Sequence, residues 1–82
     1  MKVKRVISAY STVDDKLIEE ISIDNIPVTE LRNILNADTD DIEVYKVYSI
    51  SKEQLSKLTH FVPELSRISL EDVELSAECF QV

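Results

Sequence analysis

The chain has 82 residues, 44% of them apolar, which is enough for a single domain over residues 1–82 and not for two. Sixteen Asp and Glu against nine Lys and Arg give a net charge of −7, and because Lys2, Lys4 and Arg5 make the first ten residues +3, the remainder carries −10. Such a field repels phosphate backbones and anionic lipids, so we expect no nucleic acid and no membrane among the partners, and association with a basic protein is favoured. Acidity kept merely for solubility is the alternative interpretation.

Targeting signals are not visible in the sequence. No apolar run approaches the length of a membrane span, and no apolar segment typical of a signal peptide follows Lys2, Lys4 and Arg5. Cys79 is the single cysteine, so an internal disulfide is impossible, which fits a reducing compartment. We therefore expect a cytoplasmic protein.

The first third of the chain predicts a β-hairpin. Residues 2–10 are rich in β-branched and aromatic side chains, and residues 16–23 follow a short turn at 11–15. In the second strand the alternation places Leu17, Ile21 and Ile23 on one face and Ile18, Glu20 and Ser22 on the other. The chain contains no glycine, so tight turns and helix ends must use Asn, Asp or Ser.

The middle of the chain predicts two short helices around a third strand. Thr29 is the expected N-cap of a helix over residues 30–36, and residues 43–50 predict a strand. Both faces of that strand are apolar, which indicates either a central strand covered on one face and used for binding on the other, or a strand whose second face is shielded by edge loops. Ser51 and Gln54 then match a capping box at the start of a second helix. This helix is expected to bury Leu55 and Leu58 and to end before Pro63.

The last strand is predicted over residues 73–81, where apolar residues alternate with Glu74, Ser76 and Glu78. The element order ββαβαβ predicts an α+β fold with a four-stranded, mostly antiparallel or mixed sheet. Two short helices cannot cover both faces, so we place them on one face. The opposite face is expected to be open and acidic, with Glu20 and Ser22 beside the polar residues of the last strand.

The residue types that catalysis needs are sparse. His60 is the single histidine, at the end of a predicted helix, where interaction with the helix dipole is expected. Cys79 lies on the predicted core face as an inert thiol. No Gly-rich phosphate loop and no Cys and His cluster occur. We therefore predict no enzyme activity and no cofactor, and an enzyme that uses carboxylates with a metal ion is kept as a third alternative.

Carboxylates and tyrosines concentrate after residue 37. Residues 38–43 have the oxygen density of a calcium site but lack the glycine and the final Glu of an EF-hand, so we interpret them as a solvated acidic loop without a metal. On a strand, two nearby tyrosines of opposite parity point to opposite faces, so one should be exposed. The predicted partner-binding residues are Asp38, Asp40, Asp41, Glu43, Tyr45 and Tyr48. The alternative surface consists of Glu71, Asp72, Glu74 and Glu78.

Five stretches together carry a resemblance to a family. They are Ala9-Tyr10, residues 14–21, residues 29–32, Asp40-Asp41 ahead of Tyr45 and Tyr48, and Glu53-Gln54. In this pattern the chain resembles the small acidic immunity-type proteins that bacteria encode beside polymorphic or contact-dependent toxins. The resemblance implies binding to a cognate toxin domain, often a basic nuclease, whose active site or substrate groove is blocked. It implies no cofactor and transfers no contact residues.

The sequence therefore favours an immunity protein of contact-dependent growth inhibition that binds its toxin through acidic and tyrosine residues. The alternative is a homo-oligomeric structural or regulatory module, such as a homodimer formed by the open sheet face or by an exposed edge strand. Because the net charge of −7 opposes self-association, that contact would have to be apolar, for example through Tyr45 and Val47.

Overall fold

The computed structural model describes residues 2–82, which form a four-stranded antiparallel sheet and two α-helices. In chain order the elements are β1 (Val3–Ser11), β2 (Leu17–Ser22), α1 (Val28–Leu35), β3 (Tyr48–Ser49), α2 (Lys52–Thr59), a 3₁₀ helix (Pro63–Arg67) and β4 (Val73–Gln81). Across the sheet the order is β2-β1-β4-β3, so β1 and β4 are the central strands. The predicted α+β class and the ββαβαβ order are confirmed.

The core lies between one side of the sheet and the two helices. β1 and β4 pair along their whole length, from Val3 opposite Gln81 to Ser11 opposite Val73. Alternate residues of these strands are buried in one cluster with the apolar faces of the helices, namely Ile7, Ala9, Leu75 and Ala77 with Leu31, Leu35, Leu55 and Leu58. Both helices therefore cover the same side of the sheet, as predicted.

The other side of the sheet, the open side, is covered by neither α-helix in the described part of the chain and is mixed in character, since Val6 and Ser8 at its centre are buried whereas Glu20 and Phe80 are exposed. Ser8 lies opposite Glu20 on β2, and Tyr10 lies opposite Glu74 on β4. Glu78 accepts hydrogen bonds from the Ser8 hydroxyl at 2.9 Å and from the Tyr10 hydroxyl at 2.8 Å. These bonds hold the Glu78 carboxylate flat against the strands, and the bond to Glu78, with burial, raises the pKa of Tyr10.

The helix starts follow the predicted signals in one case and not in the other. At α2 the Gln54 backbone N–H donates to the Ser51 hydroxyl at 3.2 Å, and the Ser51 N–H donates to the Gln54 side chain at 2.8 Å, so the capping box is confirmed. α1 begins at Val28 directly after Pro27, so the predicted start at residue 30 with Thr29 as N-cap is wrong. Proline supplies a backbone angle suited to a helix start without a side-chain cap. Within residues 2–82 neither helix is long and apolar enough to cross a membrane.

The strand predicted over residues 43–50 is present only as Tyr48–Ser49, which pairs with β4. It lies at the edge of the sheet, so the expectation of a central strand is wrong. Val44 has a φ of 57°, in the left-handed region that β-branched residues rarely adopt. This conformation turns the chain and buries the Val44 side chain. The other left-handed residues, Asp15 and Asn36, are of the types expected at turns in a chain without glycine.

The start of β2 also departs from the predicted alternation. The register between β1 and β2 shifts between Ala9 and Tyr10, which brings Leu17 opposite Tyr10. Leu17 therefore does not share a face with Ile21, and its side chain is exposed. An irregularity of this kind bends an edge strand locally.

Candidate protein-binding surfaces

Residues 38–47, named here the Asp41 loop, fold around a buried carboxylate. One oxygen of Asp41 accepts the Tyr45 N–H at 2.8 Å, and the other accepts the Lys46 N–H at 3.0 Å and the Tyr48 hydroxyl at 2.6 Å. Backbone groups that leave a sheet need other partners, and this ionised side chain provides them. The interpretation of the whole segment as a solvated acidic loop is therefore wrong at Asp41, which is buried.

The protonation states of Asp41 and Tyr48 follow from this geometry. Burial alone would raise the pKa of Asp41, but the hydrogen bonds from Tyr48 and from the two backbone N–H groups outweigh it, so its pKa lies below the ordinary value. Burial and the bond to Asp41 raise the pKa of Tyr48. At neutral pH the pair is thus a carboxylate and a phenol, bonded to each other inside the protein.

Two arginines hold the Asp41 loop from other elements. Arg5 of β1 donates to the Glu43 carbonyl, and its guanidinium lies 5.9 Å from the centroid of the Tyr45 ring. Arg32 of α1 donates to the Asp41 carbonyl at 2.9 Å. The backbone of the loop is therefore tied to both the sheet and the first helix.

Lys46 neutralises charge on the outer side of the same loop. Its ammonium lies 3.1 Å from a carboxylate oxygen of Asp38 and 3.1 Å from one of Asp40. Hydrogen bonds to these two carboxylates raise the pKa of Lys46. Since the three side chains are exposed, the pairs add little stability, but they leave less free negative charge at this loop than the sequence suggests.

Three apolar side chains project from the Asp41 loop into solvent. They are 66% exposed for Ile42, 47% for Tyr45 and 64% for Val47, and we name them the apolar cap. Because the backbone beneath them is fixed by Asp41 and the arginines, a partner would meet these side chains without first ordering the loop.

The far end of β1 differs in its charge balance. The Thr12 N–H donates to the Asp72 carbonyl at 3.2 Å, and Ser11 lies opposite Val73, so the β1–β2 turn and the start of β4 are adjacent. This region, the acidic end, contains Asp14, Asp15, Glu71, Asp72 and Glu74. None of these carboxylates belongs to an ion pair in the part of the chain that the structure describes, and Lys16 is the cation of the turn.

Exposed apolar side chains accompany the acidic end. Val13 at the tip of the turn is 91% exposed, and Leu17 and Ile18 at the start of β2 are 48% and 56% exposed. Large apolar side chains beside unpaired carboxylates form a surface that can attract a basic protein and then bury apolar area against it.

The ten predicted partner-binding residues therefore lie in three places. Asp38, Asp40, Asp41, Glu43 and Tyr45 belong to the Asp41 loop with Tyr48 directly after it on β3, Glu71, Asp72 and Glu74 belong to the acidic end, and Glu78 lies in the middle of the open side. In the first group Tyr45 and Glu43 are exposed, whereas Asp41 and Tyr48 bond to each other. Sequence reasoning missed the exposed turn at Val13 to Asp15, although antiparallel pairing of the first and last strands would have placed it beside Glu71 and Asp72.

A groove of about 740 Å³ lies between α2 and the segment that follows it. Leu55 and Leu65 line it together with several hydroxyls, His60 and Glu71. Two of these hydroxyls are engaged locally, since the Thr59 hydroxyl donates to the Leu55 carbonyl at 2.7 Å and the Ser69 hydroxyl accepts the Glu71 N–H at 3.3 Å. Half-burial raises the pKa of the Cys79 thiol, which keeps it protonated and poorly nucleophilic.

Metal binding has no obvious location in the described residues, where no group of three or more His, Cys, Asp or Glu side chains is arranged to hold an ion. Comparison with known proteins gives one finding. The family described as Domain of unknown function (DUF7683) matches residues 4–78. No curated protein and no solved structure gives a significant match.

Proposed function

Since this chain belongs to the DUF7683 family, whose description states no function, we propose one from the surface chemistry. The protein binds a basic, nuclease-type toxin domain and neutralises it, as an immunity protein without catalytic activity of its own. The observation that carries this proposal is the acidic end, where five carboxylates outside ion pairs occur on the same two adjacent segments as exposed Val13, Leu17 and Ile18. The toxin assignment also rests on the resemblance of the sequence to immunity-type proteins.

The charged and apolar parts of the acidic end have separate roles. Carboxylates outside ion pairs accelerate encounter with a basic surface, an effect that reaches one to three orders of magnitude at low salt and is screened at high salt. Apolar side chains contribute affinity, because burying one completely is worth about 1.5–3 kcal/mol before the costs of association. Val13 and its neighbours are thus the affinity residues, and Glu71 and Asp72 belong to the steering field.

Inhibition follows from the same charge. A nuclease domain attracts phosphates to a basic groove, and the carboxylates of Asp14, Asp15 and Glu71 carry the sign of charge that this groove accepts. Bound there, the protein excludes the nucleic acid by occupying its place. No cofactor is required.

Where a neighbouring gene encodes a protein with a basic C-terminal domain, that domain is the partner for the test, and its association is measured by stopped flow at low and high salt. The double variant Asp15→Lys and Glu71→Lys should slow association at least tenfold at low salt, with a smaller effect at high salt. The control Glu30→Lys and Glu53→Lys changes the net charge equally, on the two α-helices instead of at the acidic end. Equal slowing by both variants contradicts the acidic end as the contact, and no inhibition of that domain by the wild-type protein contradicts the immunity function.

A second candidate function, a homodimeric module, is favoured by the apolar cap. Ile42, Tyr45 and Val47 stand on a preformed loop, and the carboxylates near them are already paired with Lys46. Sedimentation velocity distinguishes the two functions. A dimer of the isolated protein that the variant Tyr45→Lys and Val47→Lys dissociates would support the module, and a monomer at high concentration excludes it.

A further inference from the structure

We propose that the outer edge of β2 receives an extended basic segment of the partner as a fifth strand of the sheet. This inference rests on the proposed function, because it assumes a basic partner, and it adds how that partner is held. β2 is an edge strand whose neighbour in the sheet is β1. Its outer backbone groups are therefore available for a further strand.

The hydrogen-bond parity of the hairpin identifies these outer groups. The Ile23 N–H donates to the Arg5 carbonyl at 2.9 Å, and antiparallel ladders alternate between bonded and non-bonded pairs. Ile21, opposite Ile7, therefore directs its backbone groups to β1, whereas Glu20 and Ser22 direct theirs outward. Two residues thus offer two N–H donors and two carbonyl acceptors to an added strand.

The side chains along β2 select the character of that strand. Glu20 projects from the open side of the sheet, opposite Ser8, and belongs to no ion pair within residues 2–82. On the helix side, Glu19 is already engaged by Arg67, whose two terminal nitrogens donate to its carboxylate at 2.8 Å and 2.6 Å. This pair lowers the pKa of Glu19, which stays ionised and satisfied. Basic residues are therefore needed on the open side alone, so the segment alternates basic with apolar or neutral residues.

A second copy of this chain fits the same edge poorly. An antiparallel pair of β2 strands would bring Glu19 and Glu20 close to their copies, and like charges across a strand pair are unfavourable. The register shift at Leu17 also shortens the regular part of the edge. The Glu20 carboxylate discourages self-pairing, and a basic strand would neutralise it, which is why we assign the edge to the partner.

Backbone amide exchange of the intact protein tests this directly. The probe is a synthetic peptide of alternating lysine and valine, with a peptide of alternating glutamate and valine as the control. On binding, the Glu20 and Ser22 amides should gain at least tenfold protection, while the Ile21 amide, already bonded to β1, should change little. Saturable binding of the basic peptide without protection at Glu20 and Ser22 overturns the proposal, as does protection of both amides in the concentrated protein alone.

A variant adds an independent measurement. Ser22→Pro removes an outward N–H from an edge position where proline is tolerated, and should weaken peptide binding about fivefold or more. Ser22→Ala keeps the N–H and should bind as the wild type does. Equal affinity of the two variants contradicts strand addition. The charge reversals at Asp15 and Glu71 leave this edge intact. The association rates therefore test the acidic end as a contact, and the amide protection at Glu20 and Ser22 tests the edge, so either proposal can be contradicted without the other.

Discussion

The two ends of β1 carry negative charge in different ways. At the Arg5 end, three of the four carboxylates of the Asp41 loop, those of Asp38, Asp40 and Asp41, are bonded to Lys46, Tyr48 or backbone N–H groups, and Glu43 is the exception. At the Ser11 end, the carboxylates of the acidic end belong to no ion pair in the described residues. Both segments are acidic in the sequence, yet most carboxylates of the first are bonded within the fold and those of the second are exposed to solvent outside ion pairs. Acidity alone therefore does not locate a binding surface, whereas the pairing of each carboxylate does.

The largest effect on stability is expected from Asp41→Ala. Three donors lose their acceptor inside the protein, so the free energy of unfolding should fall by about 2–3 kcal/mol. Asp40→Ala, the control in the same loop, removes an exposed ion pair and should cost less than about 0.5 kcal/mol. Urea denaturation of both variants checks this, and equal costs would show that Asp41 does not organise the loop.

A smaller, pH-dependent difference separates Asp41→Asn from the wild type. The folded pKa of Asp41 lies below its ordinary value of 3.8, so its carboxylate stabilises the fold above that value, and this contribution is lost as pH falls through the folded pKa. The difference in unfolding free energy between the two proteins should therefore be largest near pH 7 and shrink below pH 3.8. The Glu19–Arg67 pair is present in both proteins, so its own pH-dependent contribution drops out of the difference between their unfolding free energies. A difference that grows on acidification would contradict this assignment.

The smallest effects are expected to have opposite signs at the two ends. Asp15→Asn removes a like charge at the acidic end and keeps a residue type suited to its φ of 60°, so it should stabilise by up to about 0.5 kcal/mol. Asp40→Asn removes a partner of Lys46 and should destabilise by a similar small amount. Thermal unfolding at low salt measures both, and added salt should reduce both changes. If the two variants changed the stability in the same direction, the carboxylates at the two ends would not differ in their pairing with cations.

The fold was predictable where local signals agree with tertiary packing. The strict alternation over residues 73–81 identified β4 with its bounds, and Ser51 and Gln54 located the start of α2. Residues 43–50 have strong β propensity, but the hydrogen bonds from Tyr45 and Lys46 to the Asp41 side chain give their backbone another set of partners. β propensity does not show that a side chain, in place of a neighbouring strand, accepts the backbone hydrogen bonds of a segment.

The candidate site was predictable in part. Glu71, Asp72 and Glu74 were identified by charge, and antiparallel pairing of β1 with β4 brings them to the β1–β2 turn. The exposure of Leu17 was not predictable, because it depends on a register shift that leaves no mark in the alternation. The reach of Arg5 and Arg32 into the Asp41 loop depends likewise on contacts between distant parts of the chain.

The central position of β1 has a consequence for how the molecule approaches a partner. Its nine residues span about 30 Å, close to the longest dimension of 33 Å. At one end Lys2, Lys4 and Arg5 offset the carboxylates of the Asp41 loop, and at the other end the carboxylates of the acidic turn belong to no ion pair in the described residues. Charges separated along a rod of that length give the protein a permanent dipole moment directed along the strand. In the field of a basic partner this dipole exerts a torque, so the molecule arrives already rotated with the Val13 turn in front.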